Sequence, residues 1–501
     1  MSQFTPDYEH LYMQEKLADV KLVIKDENEA AAAGQKRKRK STARTLPGHG
    51  LLLLGHSGYC KAKLENWETE AGASSSAKGA KQQLEIVLPV PAGQEDLAEL
   101  LIKGMYQKQP SIAQDLNHEQ LLQLMLLADR FEVPKVQAAV AAAFSAVQPQ
   151  QLEWQTALQL LDLPPSCAQQ AEFKAVQQLA VQRLQQQLGD LEEVWADEQK
   201  QQQLLSLPFS ALLQLLQHAD TCVASENTVV YTIEKWYTAL PASAGSVEQL
   251  KQLMHLVRVQ HCTPFYVGTV MPQSVLVQHC FDQSELLLMH VCCASGVHAK
   301  LQAQALSPAL KKYPAWGAEQ RPASAKQPMF EWQLPLGTVQ AAVEKHLSSS
   351  SSTATVVGTS SFHIVQGQPA AVHVQVHNSS GGSSDGGARA LALGVFLKLS
   401  NLPSNAVRQV SAKLALVAAP AAAAAGGGQA AAETPSWSFH NCFVSSEQCW
   451  GFPQFISLGA VGSWEAAEAV LRQKQLVHAG GQGDAAAGPH LLVQVEVPEL
   501  L

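Results

Sequence analysis

The apolar residues of this chain change period once, and that change limits the folds open to it. Through Glu95–Tyr106, Leu116–Phe144 and most of residues 150–300 they recur at helical spacing; beyond residue 370 they alternate. A period of 3.6 buries one face of a helix, whereas a period of two buries one face of a strand. The 501 residues therefore combine helical and sheet regions, with length for about three domains at roughly 150 residues each.

Leu116 to Phe144, LNHEQLLQLMLLADRFEVPKVQAAVAAAF, is the most sharply punctuated helical piece. Asn117 is a good N-cap, and Gln120 can close a capping box three residues on. Leu121, Leu122, Met125 and Ala128 follow at helical spacing, and Leu124 and Leu127 widen the stripe. A helix so apolar must be covered on several sides. Phe131-Glu132-Val133 breaks it. Pro134 then opens a second helix where its missing N–H costs nothing, with Val136, Ala139, Val140 and Phe144 facing inward.

Before this pair, Asp19–Ile24, Leu46–Leu54 and Leu84–Leu88 read as short strands. Helices are expected over Tyr59–Trp67 and Glu95–Tyr106, and a loop over Glu68–Gln83. An insertion at residues 26–45 carries five adjacent cations, Lys36, Arg37, Lys38, Arg39 and Lys40. The order of elements and five short motifs resemble the BTB/POZ domain over residues 17–147, after a tail at 1–16. The motifs are Asp19-Val20, Gly48-His49, His56-Ser57-Gly58-Tyr59-Cys60, Met105-Tyr106 and Ala128-Asp129-Arg130-Phe131. Gly50 and His56 stand where that family often has basic residues.

Residues 148–304 read as helical throughout. Phe173, Val176, Leu179, Ala180 and Leu184 share one helix face; Leu212, Leu213, Leu215 and Leu216 follow Leu207-Pro208-Phe209. Ser225 caps a helix with Glu226 in its first turn, and Val229, Val230, Ile233, Trp236, Tyr237 and Leu240 form its stripe. The run LPFSALLQLLQHADTCVASENTVVYTIEKWY resembles the BACK domain.

Pro308, Pro314, Pro322 and Pro328 punctuate a linker at 305–328. Residues 329–501 read as an antiparallel β-sandwich, from the alternation at Val372–Val376, Leu391–Leu399, Leu414–Leu416 and Leu491–Val497. Asn378–Gly387 and Ala418–Ala432 are Gly/Ala/Ser loops. Phe330-Glu331-Trp332-Gln333-Leu334-Pro335, Leu393-Gly394-Val395-Phe396-Leu397 and Trp450-Gly451-Phe452-Pro453 are similar to the MATH-like C-terminal domain of plant light-response BTB-BACK proteins. The chain is thus expected to be multidomain α+β.

No catalytic constellation stands out, and a non-enzymatic protein without cofactor or metal is expected. Cys280, His290, Cys292, Cys293 and His298 lack the converging Cys pairs of a zinc site and read as core. His49, at a strand edge, reads as structural. Nine cysteines without a framework fit reduced thiols. The N-terminus has no apolar secretory core, and no run of about 20 apolar residues spans a membrane. A net charge of −8 argues against bulk nucleic-acid binding, but the Lys36–Lys40 run suits nuclear import, so a nuclear and also cytoplasmic location is expected.

The resemblance implies a substrate adaptor of a cullin-3-type ubiquitin ligase: a homodimer through the BTB segment, with the C-terminal domain holding a protein substrate. The alternative is a nuclear scaffold or corepressor acting without a cullin. The family's apolar-x-Glu cullin element falls at Leu64–Glu70, where Thr69 follows two residues after Trp67. Trp67, Glu68, Glu70, Met105 and Tyr106 are the cullin-contact candidates. Trp437, Phe439, Phe443, Trp450 and Phe452 are the substrate-contact candidates.

Overall fold

The computed structural model describes residues 7–27, 43–73, 84–111, 115–164, 167, 169–241, 245–293, 307–324, 329–349, 353–379, 389–400, 407–419, 435–444, 449–479 and 488–500. Two compact units result, Met1–Gln187 and Leu188–Leu501.

In the first unit, β1 (Val20–Asp26), β2 (Arg44–Gly48) and β3 (Leu84–Val90) form a sheet in the order β2-β1-β3. β1 runs antiparallel to β2 and parallel to β3. A parallel neighbour needs a crossover, and α1 (Gly50–His56) and α2 (Gly58–Ala73) lie in the connection. The expected strand at Leu46–Leu54 is therefore corrected: the strand ends at Gly48. Asp19 accepts from the Gly50 N–H at 2.6 Å, so a helix begins there. The run of leucines without β-branching favours that outcome, and α1 buries Leu53 while Leu51 stays 83% exposed. The loop expected from Glu68 is likewise corrected, since α2 continues to Ala73.

α3 (Glu95–Tyr106), α4 (His118–Arg130), α5 (Pro134–Ser145), α6 (Trp154–Leu161) and α7 (Ala171–Leu188) follow. The capping box between Asn117 and Gln120 is formed, and all six apolar residues expected on α4 are buried. Glu132 takes a left-handed backbone, φ 51°, and the Val133 N–H returns to the Ala128 carbonyl at 2.7 Å. These close α4 as a left-handed cap does.

The second unit begins with α8 (Leu191–Ala196), α9 (Glu198–Leu205), α10 (Phe209–Gln217), α11 (Glu226–Ala239) and α12 (Val247–Met254). A π-helical turn at Tyr266–Val270, α13 (Val275–Cys280) and α14 (Gln283–Cys293) complete the helical part. Asp190, Asp197, Ser225 and Ser246 each cap a helix with a side-chain oxygen. Buried Trp236 donates its indole N–H to the Leu207 carbonyl at 2.8 Å, which ties α11 to the entrance of α10.

Two antiparallel sheets of five strands follow. β4 (Met329–Pro335), β9 (Val407–Val417), β10 (Ser436–Val444), β12 (Val477–His478) and β13 (His490–Leu500) form one; β9 lies between β10 and β13, and β13 also pairs with β4 and β12. β5 (Thr355–Thr359), β6 (His363–Val365), β7 (Gln368–Asn378), β8 (Arg389–Leu399) and β11 (Cys449–Val461) form the other, in the order β11-β8-β7-β5 with β6 on β7. The alternating apolar residues of β7, β8, β9 and β13 from both sheets share one core. An all-strand domain is too simple, however. α15 (Leu336–Ser348) and α16 (Trp464–Gln473) add Val339, Val343, Ala467 and Leu471 to that core.

The 305–328 linker is also corrected in part. Val223 and Ala323 form a parallel bridge, the Ser324 hydroxyl bonds both Asp190 carboxylate oxygens at 2.8 and 2.9 Å, and Arg321 is buried against Glu226 at 2.7 Å. Residues 321–324 are thus bound to the helices. Phe265 meets the sheets' core in turn.

Candidate functional site

β10 and β11 are the outer strands of their respective sheets, and both lie at one side of the shared core. Residues paired across adjacent strands face the same way. Trp437 and Phe439 pair with Leu414 and Ala412, while Trp450 and Phe452 pair with Leu397 and Val395. Their partners are all buried, so Trp437, Trp450 and Phe452 face inward, toward the gap between the sheets. Trp437 reaches across that gap to Phe452, ring centroids 5.2 Å apart, and Phe452 meets Phe455 at 6.4 Å.

The rim is not fully closed. Trp437 remains 46% exposed, whereas Phe443 on the same strand is 0% exposed. Trp450 and Phe452 pack against the core from partly buried positions. β11 is irregular here: its register to β8 shifts between Phe452 and Ile456 and again between Ser457 and Gly459. Bulges of this kind re-aim side chains at sheet edges. Gly451 is obligatory for the close approach, because a Cβ there would stand 2.1 Å from the Val395 carbonyl oxygen. An exposed indole over a second ring, beside an irregular outer strand, is an arrangement able to clasp an extended peptide or an apolar side chain.

Of the five expected contact residues, the structure brings Trp437, Trp450 and Phe452 to this rim. Phe443 is corrected to core. Phe439 lies on β10, but its side chain is outside the described residues. No sequence signal separated Phe443 from Trp437, since both occupy the inward-facing phase of one strand and differ only in distance from the rim.

The first unit treats its candidates differently. Met105 and Tyr106 are 0% and 1% exposed, so the expectation that they face a cullin is corrected. The Tyr106 hydroxyl accepts from the His49 N–H at 3.1 Å and shares a second hydrogen bond with His49 Nδ1 at 3.1 Å. Burial pushes the Tyr106 phenol up to about 12. The Ser57 hydroxyl donates to the Phe131 carbonyl at 2.7 Å, and Tyr59 meets the Phe131 ring edge-on at 5.2 Å. His49, Ser57, Met105, Tyr106 and Phe131 are thus buried, with His49 bonded to Tyr106 and Ser57 to the Phe131 carbonyl, a structural setting for His49. Trp67, Glu68 and Glu70 fall in the last turns of α2, where the side chains are outside the described residues, as are Lys36, Arg37, Lys38, Arg39 and Lys40 entirely.

Among the described residues, no group of three or more His, Cys, Asp or Glu side chains is arranged to hold a metal ion. His298 lies outside them. Cys293 donates to the Val259 carbonyl at 2.8 Å, and burial pushes its thiol up to about 12, the reverse of an activated thiolate. No helix among the described residues is long and apolar enough to cross a membrane.

Residues 166–272 match the family model described as BACK, BTB And C-terminal Kelch. The matched region is helical and includes Leu207 and Trp236, whose hydrogen bond joins α10 to α11. No curated protein matches the chain.

Proposed function

We propose that this chain is a non-catalytic substrate-recognition adaptor of a cullin-3-type E3 ubiquitin ligase. The observation that carries the reading is the BACK match at residues 166–272, a domain typical of such adaptors, placed between a mixed-sheet segment and a two-sheet segment. The first segment would be the BTB/POZ dimerisation module, and the last a MATH-like substrate reader resembling that of the plant light-response group.

An exposed apolar surface in the first unit supports dimerisation. Leu51 is 83% and Leu54 41% exposed on α1. Leu17 is 76% exposed and adjoins the start of that helix, because the Lys16 carbonyl is hydrogen-bonded to His49 at 3.1 Å. Covering a leucine is worth roughly 1.5–3 kcal/mol, so a second copy seated there gains appreciably. For the reader, the half-exposed Trp437 supplies the aromatic anchor on which such contacts centre.

The test is size-exclusion chromatography with light scattering on the purified full-length chain, alone and with the N-terminal domain of cullin-3. A dimer that takes the cullin into its own peak is expected. A dimer that leaves the cullin behind overturns the ligase reading. It would then favour the nuclear scaffold, for which the Lys36–Lys40 run is the specific sequence feature.

A further inference from the structure

The β6–β7 hairpin meets the start of α11 directly. Val365 pairs with Gln368, leaving Gln366 and Gly367 as a two-residue loop with φ 48° and 75°. Two positive φ values are what so tight a hairpin requires. A Cβ on Gly367 would lie 2.6 Å from the Asn227 carbonyl oxygen, so hairpin and helix touch through their backbones. Beside that contact opens a cleft of about 340 Å³, bordered by Tyr231, Glu234 and Lys235 of α11, by Ser274, and by Gly367 and Pro369 of the hairpin.

Glu234 is the acid of this cleft. The Ser274 hydroxyl donates to its Oε1, and Lys235 is the charge acting on it. Burial raises the Glu234 carboxyl above its ordinary value, the mark of an ionised form short of compensation. Tyr231 lies three residues before Glu234, on the same side of the helix, its ring held edge-on by Trp195 at 4.9 Å. The Lys235 ammonium lies 5.3 Å from the Tyr231 ring centroid. The chain's own lysine thus places a cation over this ring, and its charge also acts on the carboxylate.

We propose that the cleft receives an arginine side chain of a protein partner, its guanidinium pairing with Glu234 and lying over the Tyr231 ring. A guanidinium is planar and weakly hydrated, so it can fork onto a carboxylate and stack on an aromatic face together. An ammonium offers only the point charge that Lys235 already supplies. The proposal stands on the geometry of the second unit and does not depend on cullin binding.

The test uses the full-length chain and Nα-acetyl-arginine methylamide, followed by saturation-transfer NMR, with the citrulline analogue as the uncharged control. Binding near ~1 mM is expected for arginine and none for citrulline. Glu234→Gln, which keeps the shape and the Ser274 bond, should weaken arginine about tenfold. Lys235→Gln removes the competing cation and should strengthen it severalfold. Equal binding of citrulline, or an unchanged affinity in Glu234→Gln, overturns the proposal. If Glu234→Gln fails to fold, the Lys235→Gln result decides, and weaker binding there overturns it.

Discussion

Arg321 ties the segment ahead of β4 to the helices, and replacing it by Met should destabilise the second unit by about 3–5 kcal/mol. Its Nε lies 2.7 Å from Glu226 Oε1, and both side chains are 1% exposed. Its Nη1 also donates to the His218 carbonyl at 3.4 Å, while the other Glu226 oxygen accepts from the Arg258 N–H at 3.1 Å. Methionine fills much of the volume and leaves the carboxylate buried with that one backbone donor. The cost is therefore that of an uncompensated charge, not of lost packing. Glu226→Gln combined with Arg321→Met removes both charges and should recover at least half of the loss. Urea unfolding, read by tryptophan fluorescence, measures this, because Trp236 and Trp316 are buried in the same unit. The comparison requires equal slopes with denaturant. A cost below about 1 kcal/mol for Arg321→Met, as at an ordinary surface position, would refute the reasoning, as would a double variant no more stable than the single one.

Three further outcomes follow from the packing of the second unit. Phe443→Ala should cost about 3–5 kcal/mol in urea unfolding, whereas half-exposed Trp437→Ala should cost about 1 kcal/mol and, on the proposed adaptor reading, deplete substrates in proximity labelling; equal stability losses would contradict the placement of the rim. Gly367→Ala should cost about 1–3 kcal/mol, because the left-handed backbone and the Asn227 carbonyl both oppose a Cβ; an unchanged urea midpoint would exclude that contact. Burial raises the Glu192 carboxyl above its ordinary value, against hydrogen bonds from Thr228 and the Ala224 N–H. The folded state then holds that proton more tightly than the unfolded state, so its contribution is full below the ordinary carboxylate range and lost as pH rises through the folded value. Glu192→Gln should flatten that decline in urea midpoints measured from mildly acidic to neutral pH, and an unaltered slope would count against it.

What was legible in the sequence was the part that follows from period and punctuation. Asn117, Gln120 and Pro134 mark helix starts because their chemistry acts within one turn, and the alternating valines and leucines of β7, β8 and β13 mark a buried face because a strand repeats every two residues. Leu46–Leu54 misled because a run of leucines has no period, and the deciding contact, Asp19 to the Gly50 N–H, is made across 31 positions. Met105 and Tyr106 misled for a related reason. The pair resembles a family motif, but His49 and Tyr106 hold each other in the core, and packing of that kind says nothing about an outer surface. The aromatic rim was half legible: its residues stand out by type, but which of them are covered depends on where the two sheets diverge.

The joint was the least legible part, and it bears most on how the C-terminal sheets could work. A proline-punctuated segment reads as a flexible tether, which would let a reader domain sweep a wide volume and set the effective concentration of its cargo by length alone. Glu226 reads as a favourable first-turn acid, and nothing near it in sequence shows that Arg321, 95 positions on, will share its burial. Once Arg321, Ser324 and the Val223–Ala323 bridge are made, residues 321–324 belong to the helical body, and Phe265 and the Gly367 hairpin carry the contact onward to the sheets. On the adaptor reading proposed above, a bound substrate would then be held at a set distance from the helices that match the BACK model. Loosening the joint should therefore alter which lysines of a substrate are modified before it alters whether the substrate is bound. In an Arg321→Met chain that still folds, substrate capture should persist while the pattern of ubiquitinated sites, read by mass spectrometry of a reconstituted reaction, broadens. An unchanged site pattern would mean that the geometry of this joint does not govern presentation.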